Sequence, residues 1–399
     1  MARLRIVVTL GTRPEAIKLA PVIHALREHA EDFEAIVVST AQHRQMLDQV
    51  LSVFRIVPDI DLDLMRPKQS LADVTSRVLD GIGRVLAEVT AGVVMVQGDT
   101  TTAFGAALAA YYAGTPVAHV EAGLRSHDNY HPFPEEANRR LTAVLTTVHL
   151  APTPLAAENL VSEGVPRPAI AVTGNTVVDA LQRLAARAPC GVPAPAARSD
   201  ERMILVTSHR RESWGADLES ICAAARDIVA AFDDVRVVFP VHLNPAVRDT
   251  VYAMLGGVPR IDLLPPVDYF EFIRLMDRAY LILTDSGGVQ EEAPSFRKPV
   301  LVLRHVTERP EAALSGLATL VGADRARIVG EASRLLTDRE AYRAMTARPN
   351  PYGDGRAAER IVKALRRWAQ GEQPLLEARE EFGIGRDLAR VRRVAHGVR

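Results

Sequence analysis

Two α/β halves, each a parallel sheet covered by helices, are what this sequence predicts, and three observations carry that expectation. Short β-branched runs alternate with helical stretches, the alternation starts afresh after residue 200, and an Ala- and Pro-rich segment, Ala185 to Asp200, separates the two series. A length of 399 residues suits two such domains.

The first series of strands is read at Leu4 to Leu10, Ala35 to Ser39, Val93 to Gln97, Val117 to Val120, Thr146 to Leu150 and Ala169 to Val172. The second is Met203 to Thr207, Val235 to Val241, Ile261 to Leu264, Tyr280 to Thr284, Val300 to Leu303 and Thr319 to Val321. Domains are accordingly expected at residues 1–185 and 200–370. Residues 371–399, which mix acids with arginines, are expected to form a surface helix or a frayed tail.

Composition narrows the classes of function. Lys plus Arg (48) against Asp plus Glu (49) gives a net charge of −1, without the basic footprint of a nucleic-acid binder, so no nucleic-acid partner is expected. Two cysteines, Cys190 and Cys222, supply no disulfide framework, and a reducing, cytoplasmic location is expected. The chain enters a strand at once, so no leader is expected. Ala103 to Val120 is too weakly apolar for a membrane span, and no membrane partner is expected.

Ligands of open parallel sheets sit outside the carboxyl ends of the strands, so the segments after each strand carry the chemistry. Gly11-Thr12-Arg13-Pro14-Glu15 opens a helix where Thr12 can cap, and Arg13 and Lys18 can face an anion; a well-capped helix with solvated charges is the plainer alternative. The glycine spacing of a dinucleotide-binding turn is missing there, as is a phosphate-binding P-loop, so bound NAD and ATP hydrolysis are disfavoured and no cofactor is expected.

Asp99 and Glu121 leave neighbouring strand ends, and Pro134-Glu135-Glu136-Ala137-Asn138-Arg139-Arg140 opens a later helix. Asp99, Glu121 and Glu135 meeting in one crevice would repel one another and suit acid/base work; singly, each is more simply a cap or a surface charge. In the second half, His209 beside Arg210 and Arg211 can stabilise a phosphate, or form a salt-bridged surface loop. Ser286-Gly287-Gly288 lets backbone N–H groups approach an anion, and Glu292 can accept from paired sugar hydroxyls. The 11 histidines include no metal-binding H-E-x-x-H, and no metal is expected.

At these residues the sequence resembles the non-hydrolysing UDP-N-acetylglucosamine 2-epimerases. The ordered match runs through Gly11-Thr12-Arg13-Pro14-Glu15, Ala41-Gln42-His43-Arg44, Gln97-Gly98-Asp99-Thr100, His119-Val120-Glu121-Ala122-Gly123-Leu124-Arg125, Pro134 to Arg139, Ser208 to Glu212, Asp285 to Glu292 and Thr307-Glu308-Arg309-Pro310-Glu311. The resemblance implies two Rossmann-like domains in a GT-B-like fold, with the active site in the interdomain cleft and a homodimer as the assembly. It implies interconversion of UDP-GlcNAc and UDP-ManNAc, with a UDP-sugar as the small-molecule partner.

By the same similarity, Asp99, Glu121, Glu135, Arg139 and His209 are catalytic. Arg13, Lys18, His242, Phe272, Ser286, Gly287, Gly288, Glu292 and Arg309 bind the nucleotide sugar. Gln42, Gln45 and Arg210 resemble an allosteric subsite of regulated members, although Lys68 stands where those members have an arginine. Alternatives that share the architecture are an epimerase for another UDP-sugar such as a diacetamido-uronic acid, a hydrolysing relative, a GT-B glycosyltransferase and a sensor without turnover.

Overall fold

The structure, a computed structural model, describes residues 3–42, 44–66, 69–185, 201–208, 210, 214–305, 307 and 309–383. Among these, the chain divides into two compact units. One comprises the residues up to Arg183 together with those from Tyr352 onward, and the other Leu184–Pro351.

The first unit holds strands β1 (Leu4–Leu10), β2 (Phe33–Ser39), β3 (Ile60–Asp61), β4 (Val93–Gln97), β5 (Val117–Val120), β6 (Val148–Ala151) and β7 (Ile170–Val172). They form a parallel sheet in the order β3-β2-β1-β4-β5-β6-β7. Helices α1 (Arg13–Glu28), α2 (Arg44–Phe54), α3 (Leu71–Glu88), α4 (Thr101–Tyr112), α5 (Glu135–Leu145), α6 (Pro154–Ser162) and α7 (Thr176–Ala185) connect them. Crossover helices cover both faces of a parallel sheet, which is why its central strands read as unbroken apolar runs: Ile6 to Val8 and Val93 to Val96 are all buried. The weakly apolar stretch 103–120 is divided between α4 and β5. Its small residues serve close packing, since a Cβ at Gly105 would come within 2.9 Å of Val78 on α3.

The second unit repeats the plan with β8 (Arg202–Thr207), β9 (Val235–Pro240), β10 (Ile261–Leu264), β11 (Leu281–Thr284), β12 (Val300–Val302) and β13 (Ala318–Leu320), again all parallel, in the order β10-β9-β8-β11-β12-β13. Its helices are α8 (Ala216–Ala231), α9 (Pro245–Leu255), α10 (Tyr269–Arg278), α11 (Gly287–Glu292), α12 (Pro310–Leu314), α13 (Arg325–Thr337) and α14 (Arg339–Thr346). Val206, Val237, Phe239, Leu281, Leu283 and Leu301 anchor its core. Among the described residues no helix of either unit is long and apolar enough to cross a membrane.

The boundary differs from the one expected. The last helix, α15 (Ala357–Ala369), belongs with the first unit, not the second. Its apolar face, including Ile361 and Leu365, is buried, its first N–H groups donate to Asp179 on α7 (Ala357 at 3.2 Å, Ala358 at 2.9 Å), and Arg366 meets Asp32 at 2.8 Å. The start of the expected tail is likewise neither helical nor frayed. Leu375 and Leu376 are buried, Phe382 N–H donates to the Val172 carbonyl at 2.8 Å, and Glu381 accepts from Val172 N–H at 3.1 Å. An edge strand leaves unpaired backbone groups, and this segment covers those of β7. Residues 186–200 and 384–399 lie outside the described residues.

Both sheets reverse direction of winding at one place, between β1 and β4 in the first and between β8 and β11 in the second. Connections diverge there and leave a crevice at the carboxyl edge, the usual ligand position of such sheets. The polar loops singled out from the sequence, Gly11-Thr12 and Gly98-Asp99-Thr100 in one unit, Ser208 to Arg210 and Asp285 to Gly288 in the other, leave the four strands that flank those points.

Candidate active site

In the first unit the register Gln97↔Val120 brings Asp99 and Glu121 out of adjacent strands. Glu121 takes a left-handed backbone, φ 67°, which costs a non-glycine residue about 1–3 kcal/mol and persists only where its surroundings enforce it. Here the N–H groups of Glu121 and Ala122 both donate to the Leu150 carbonyl, at 3.0 and 3.2 Å. The Glu121 carboxylate forms a buried salt bridge with Lys18 and accepts from Gln97 Nε2 at 2.7 Å. Gly123 follows at φ 92°, where a Cβ would come within 2.2 Å of the Ala156 carbonyl oxygen, so only glycine fits.

Asp99, half-buried, pairs with Arg139 on α5, and the same guanidinium reaches Glu136 at 2.5 Å. Glu136, fully buried, also accepts from the Ser126 and His127 N–H groups at 3.0 and 3.2 Å. Three carboxylates are therefore gathered near two buried cations: Asp99 and Glu136 on Arg139, and Glu121 on Lys18. Glu135 stands beside Glu136 in the first turn of α5.

Glu15 joins the two loops at the switch point. Its carboxylate accepts from Gly11 N–H (3.0 Å) and Thr12 N–H (2.7 Å), the reach-back half of a capping box, and from the Thr100 hydroxyl (2.7 Å). Burial pushes its pKa up to about 6 from 4.5, against the lowering by those hydrogen bonds. Because the folded value lies above the unfolded one, this stabilisation is complete below about pH 4.5 and is lost as pH rises through 6. It amounts to about 2 kcal/mol. Asp179, raised by burial to about 6, acts in the same sense. In urea unfolding at pH 4.5 and 7, Glu15→Gln is expected to show a smaller fall in stability with pH than the native chain; an equal fall would refute the assignment.

In the second unit Asp285, fully buried, ties the two switch-point loops: one carboxylate oxygen accepts from Ser208 Oγ and from Arg210 N–H, both at 3.0 Å. Ser286 and Glu292 both stand close to Gly288, since a Cβ there would lie 3.9 Å from Ser286 Oγ and 4.0 Å from Glu292 Oε1. Glu292 is oriented by the Tyr269 hydroxyl at 3.0 Å. Arg309 is held by buried Glu291 at 2.5 Å, and its N–H donates to Thr307 Oγ1 at 3.1 Å.

Of the remaining expected residues, Arg13 is exposed at the start of α1, His242 is exposed after β9, and Phe272 is half-buried on α10. Gln42 accepts from Thr102 Oγ1 at 2.8 Å. His209 and Lys68 lie outside the described residues, as does the side chain of Gln45. The residues not foreseen as site residues are Glu15, Gln97, Glu136, Asn138, Tyr269, Asp285 and Glu291. Two had a local clue: Glu136 sits one helical turn before Arg139, and Glu15 stands three residues after Thr12, the spacing of a capping box. Among the described residues no group of three or more histidine, cysteine or carboxylate side chains is placed to hold a metal.

Residues 24–366 match the family model described as UDP-N-acetylglucosamine 2-epimerase. The chain is 52% identical over 373 residues to the UDP-N-acetylglucosamine 2-epimerase of Escherichia coli K12, covering 91% of this chain and 98% of that protein. Among solved structures it is similar to an S. aureus MnaA–UDP co-structure (TM-score 0.86, 43% identity, 95% of this chain and 100% of that one). It is similar also to UDP-GlcNAc 2-epimerase from Neisseria meningitidis bound to UDP-GlcNAc (TM-score 0.84, 43% identity, 91% and 99%). With a match over residues 24–366, which runs through both units, and a relative 52% identical, this chain belongs to the UDP-N-acetylglucosamine 2-epimerase family.

Proposed function

We propose that this protein interconverts UDP-GlcNAc and UDP-ManNAc by inverting carbon 2 of the sugar. The hydrogen on that carbon has no neighbouring carbonyl to acidify it, so direct abstraction is prohibitively slow. Expelling UDP from carbon 1 as the proton leaves produces a glycal, and re-adding UDP with a proton delivered to the opposite face inverts the centre. Such a route needs carboxylates to act as base and acid and cations to stabilise the departing diphosphate.

The observation that carries this reading is the pairing of Asp99 with Arg139 and of Glu121 with Lys18 at neighbouring strand ends. Glu135 supplies the third carboxylate, and His209 assists at the reacting groups. Arg13, Lys18, His242 and Arg309 contact the phosphates. Ser286, Gly287 and Gly288 receive the diphosphate against backbone N–H groups, Glu292 takes the ribose hydroxyls, and Phe272 neighbours the uracil. The relatives crystallised with UDP and with UDP-GlcNAc support this substrate class.

The assembly is a homodimer, supported by the exposed apolar side chains Leu141 and Val144 on α5 and Tyr111 and Tyr112 at the end of α4. A cytoplasmic location is supported by the two-cysteine composition. Incubation with UDP-GlcNAc in deuterated water tests the function. UDP-ManNAc carrying deuterium at carbon 2 is the expected product; unchanged substrate, or release of free sugar, would exclude the proposal.

A further inference from the structure

Asp99 sits in a short turn between β4 and α4, and each residue of that turn is tied by a side chain from a different element. The Gly98 carbonyl accepts from His119 Nε2 on β5 at 2.8 Å. The Asp99 carbonyl accepts from Asn138 Nδ2 on α5 at 3.0 Å. The Thr100 hydroxyl donates to Glu15 on α1 at 2.7 Å while accepting from Ala103 N–H at 2.9 Å. Gly98 has φ 70° and nothing within 4 Å of a Cβ built there, so the turn pivots on a permissive residue in open space. Its direction is set by these tethers.

His119 is a tether with no other evident task. It is fully buried, and only the tautomer carrying its proton on Nε2 can donate to a carbonyl, which leaves Nδ1 as a bare lone pair. That Nδ1 has no hydrogen-bond partner among the described residues. A phenylalanine would fill the same space without an orphaned polar atom, so the ring keeps its polarity for one bond. Burial, first of all, pushes its pKa down to about 3; cross-strand His149 and Arg125 act in the same direction, and the Gly98 bond and Asp99 oppose them. The ring is therefore neutral near pH 7: a fixed donor rather than an acid or base.

We propose that His119 is a positioning residue for Asp99, holding the plane of the Gly98–Asp99 peptide so that the carboxylate meets Arg139 and the substrate from one direction. This rests on Asp99 being a catalytic carboxylate of the proposed epimerase. The expected signature is a loss of turnover rather than of binding, because small misplacements of a catalytic group cost rate steeply, by about 100-fold for 1 Å.

His119→Phe is expected to lower kcat about 30-fold with KM within about twofold, and His119→Gln, which can return a donor to the Nε2 position, to recover most of the loss. In an Asp99→Asn background the His119→Phe change is expected to cost less than about threefold, since the two act as one unit. Unaltered kcat, a loss confined to KM, or a full 30-fold loss in the Asp99→Asn background would overturn the assignment. If the native chain turns over no UDP-GlcNAc, the functional reading fails instead, and nitrogen-15 spectra of the full chain still decide the tether. A neutral Nε2–H ring from about pH 5 to 8, with an Asp99 amide resonance displaced by His119→Phe and restored by His119→Gln, supports it. A ring titrating near its ordinary value, or an unmoved Asp99 amide, sinks it. His119→Leu serves in the same way should the phenylalanine variant not fold.

Discussion

Asp99→Asn is expected to reduce kcat by about 10² to 10⁴-fold, the range associated with removing a general acid or base, while leaving the fold intact. The substitution keeps the shape of the side chain and one hydrogen-bond acceptor but deletes the charge that balances Arg139. That guanidinium is nearly buried and would retain Glu136 as its anionic partner, so the local structure has a second anchor. Steady-state kinetics with UDP-GlcNAc, together with deuterium entry at carbon 2, measure the effect. Activity above about one tenth of the native value would remove Asp99 from the chemistry, because a bystander carboxylate contributes little more than its field.

Lys18→Met is expected to destabilise the protein by about 3–5 kcal/mol, the cost of leaving one member of a buried ion pair without the other. Both side chains are nearly inaccessible, and Glu121 already carries the strain of a left-handed backbone. Gln97 would still donate to Glu121, but a neutral amide does not replace an ammonium. Urea unfolding at pH 7 measures the loss. The informative comparison is the double variant Lys18→Met with Glu121→Gln, which is expected to be more stable than Lys18→Met alone, since the buried carboxylate charge is removed together with its cation. Equal stabilities would mean that water solvates the Glu121 carboxylate once the ammonium is gone.

The two effects separate chemistry from architecture in one set of loops. Asp99 sits on a turn held by side-chain tethers, and its loss is expected to fall on rate. Lys18 and Glu121 bridge α1 to the end of β5, so their separation falls on folding as well.

The strands were legible in the sequence wherever β-branched residues ran together. All twelve expected runs became strands, with ends displaced by at most two residues. The unforeseen strand, β3, has two residues and pairs with β2 at two positions only, too short to leave a pattern. The polar loops were legible because a parallel sheet sends its functional segments to one edge. The position of α15 was not legible: its amphipathic stripe announces that it will pack, while the choice of partner depends on Asp179 and Asp32, some 180 to 330 residues earlier.

The sequence by itself determined the element types, the two-series architecture and the family, since hydrophobic period, turn chemistry and ordered motifs are local properties of the chain. Only the tertiary structure decided which carboxylate meets which cation. Glu135 and Glu136 are adjacent in sequence, yet the helical turn gives Arg139 to Glu136. Glu15 carries no expected role of its own in the sequence beside Thr12, and it is a buried link between two loops. These outcomes depend on distances between side chains brought together across the sheet, and on the exclusion of water around them, neither of which is written in any local pattern.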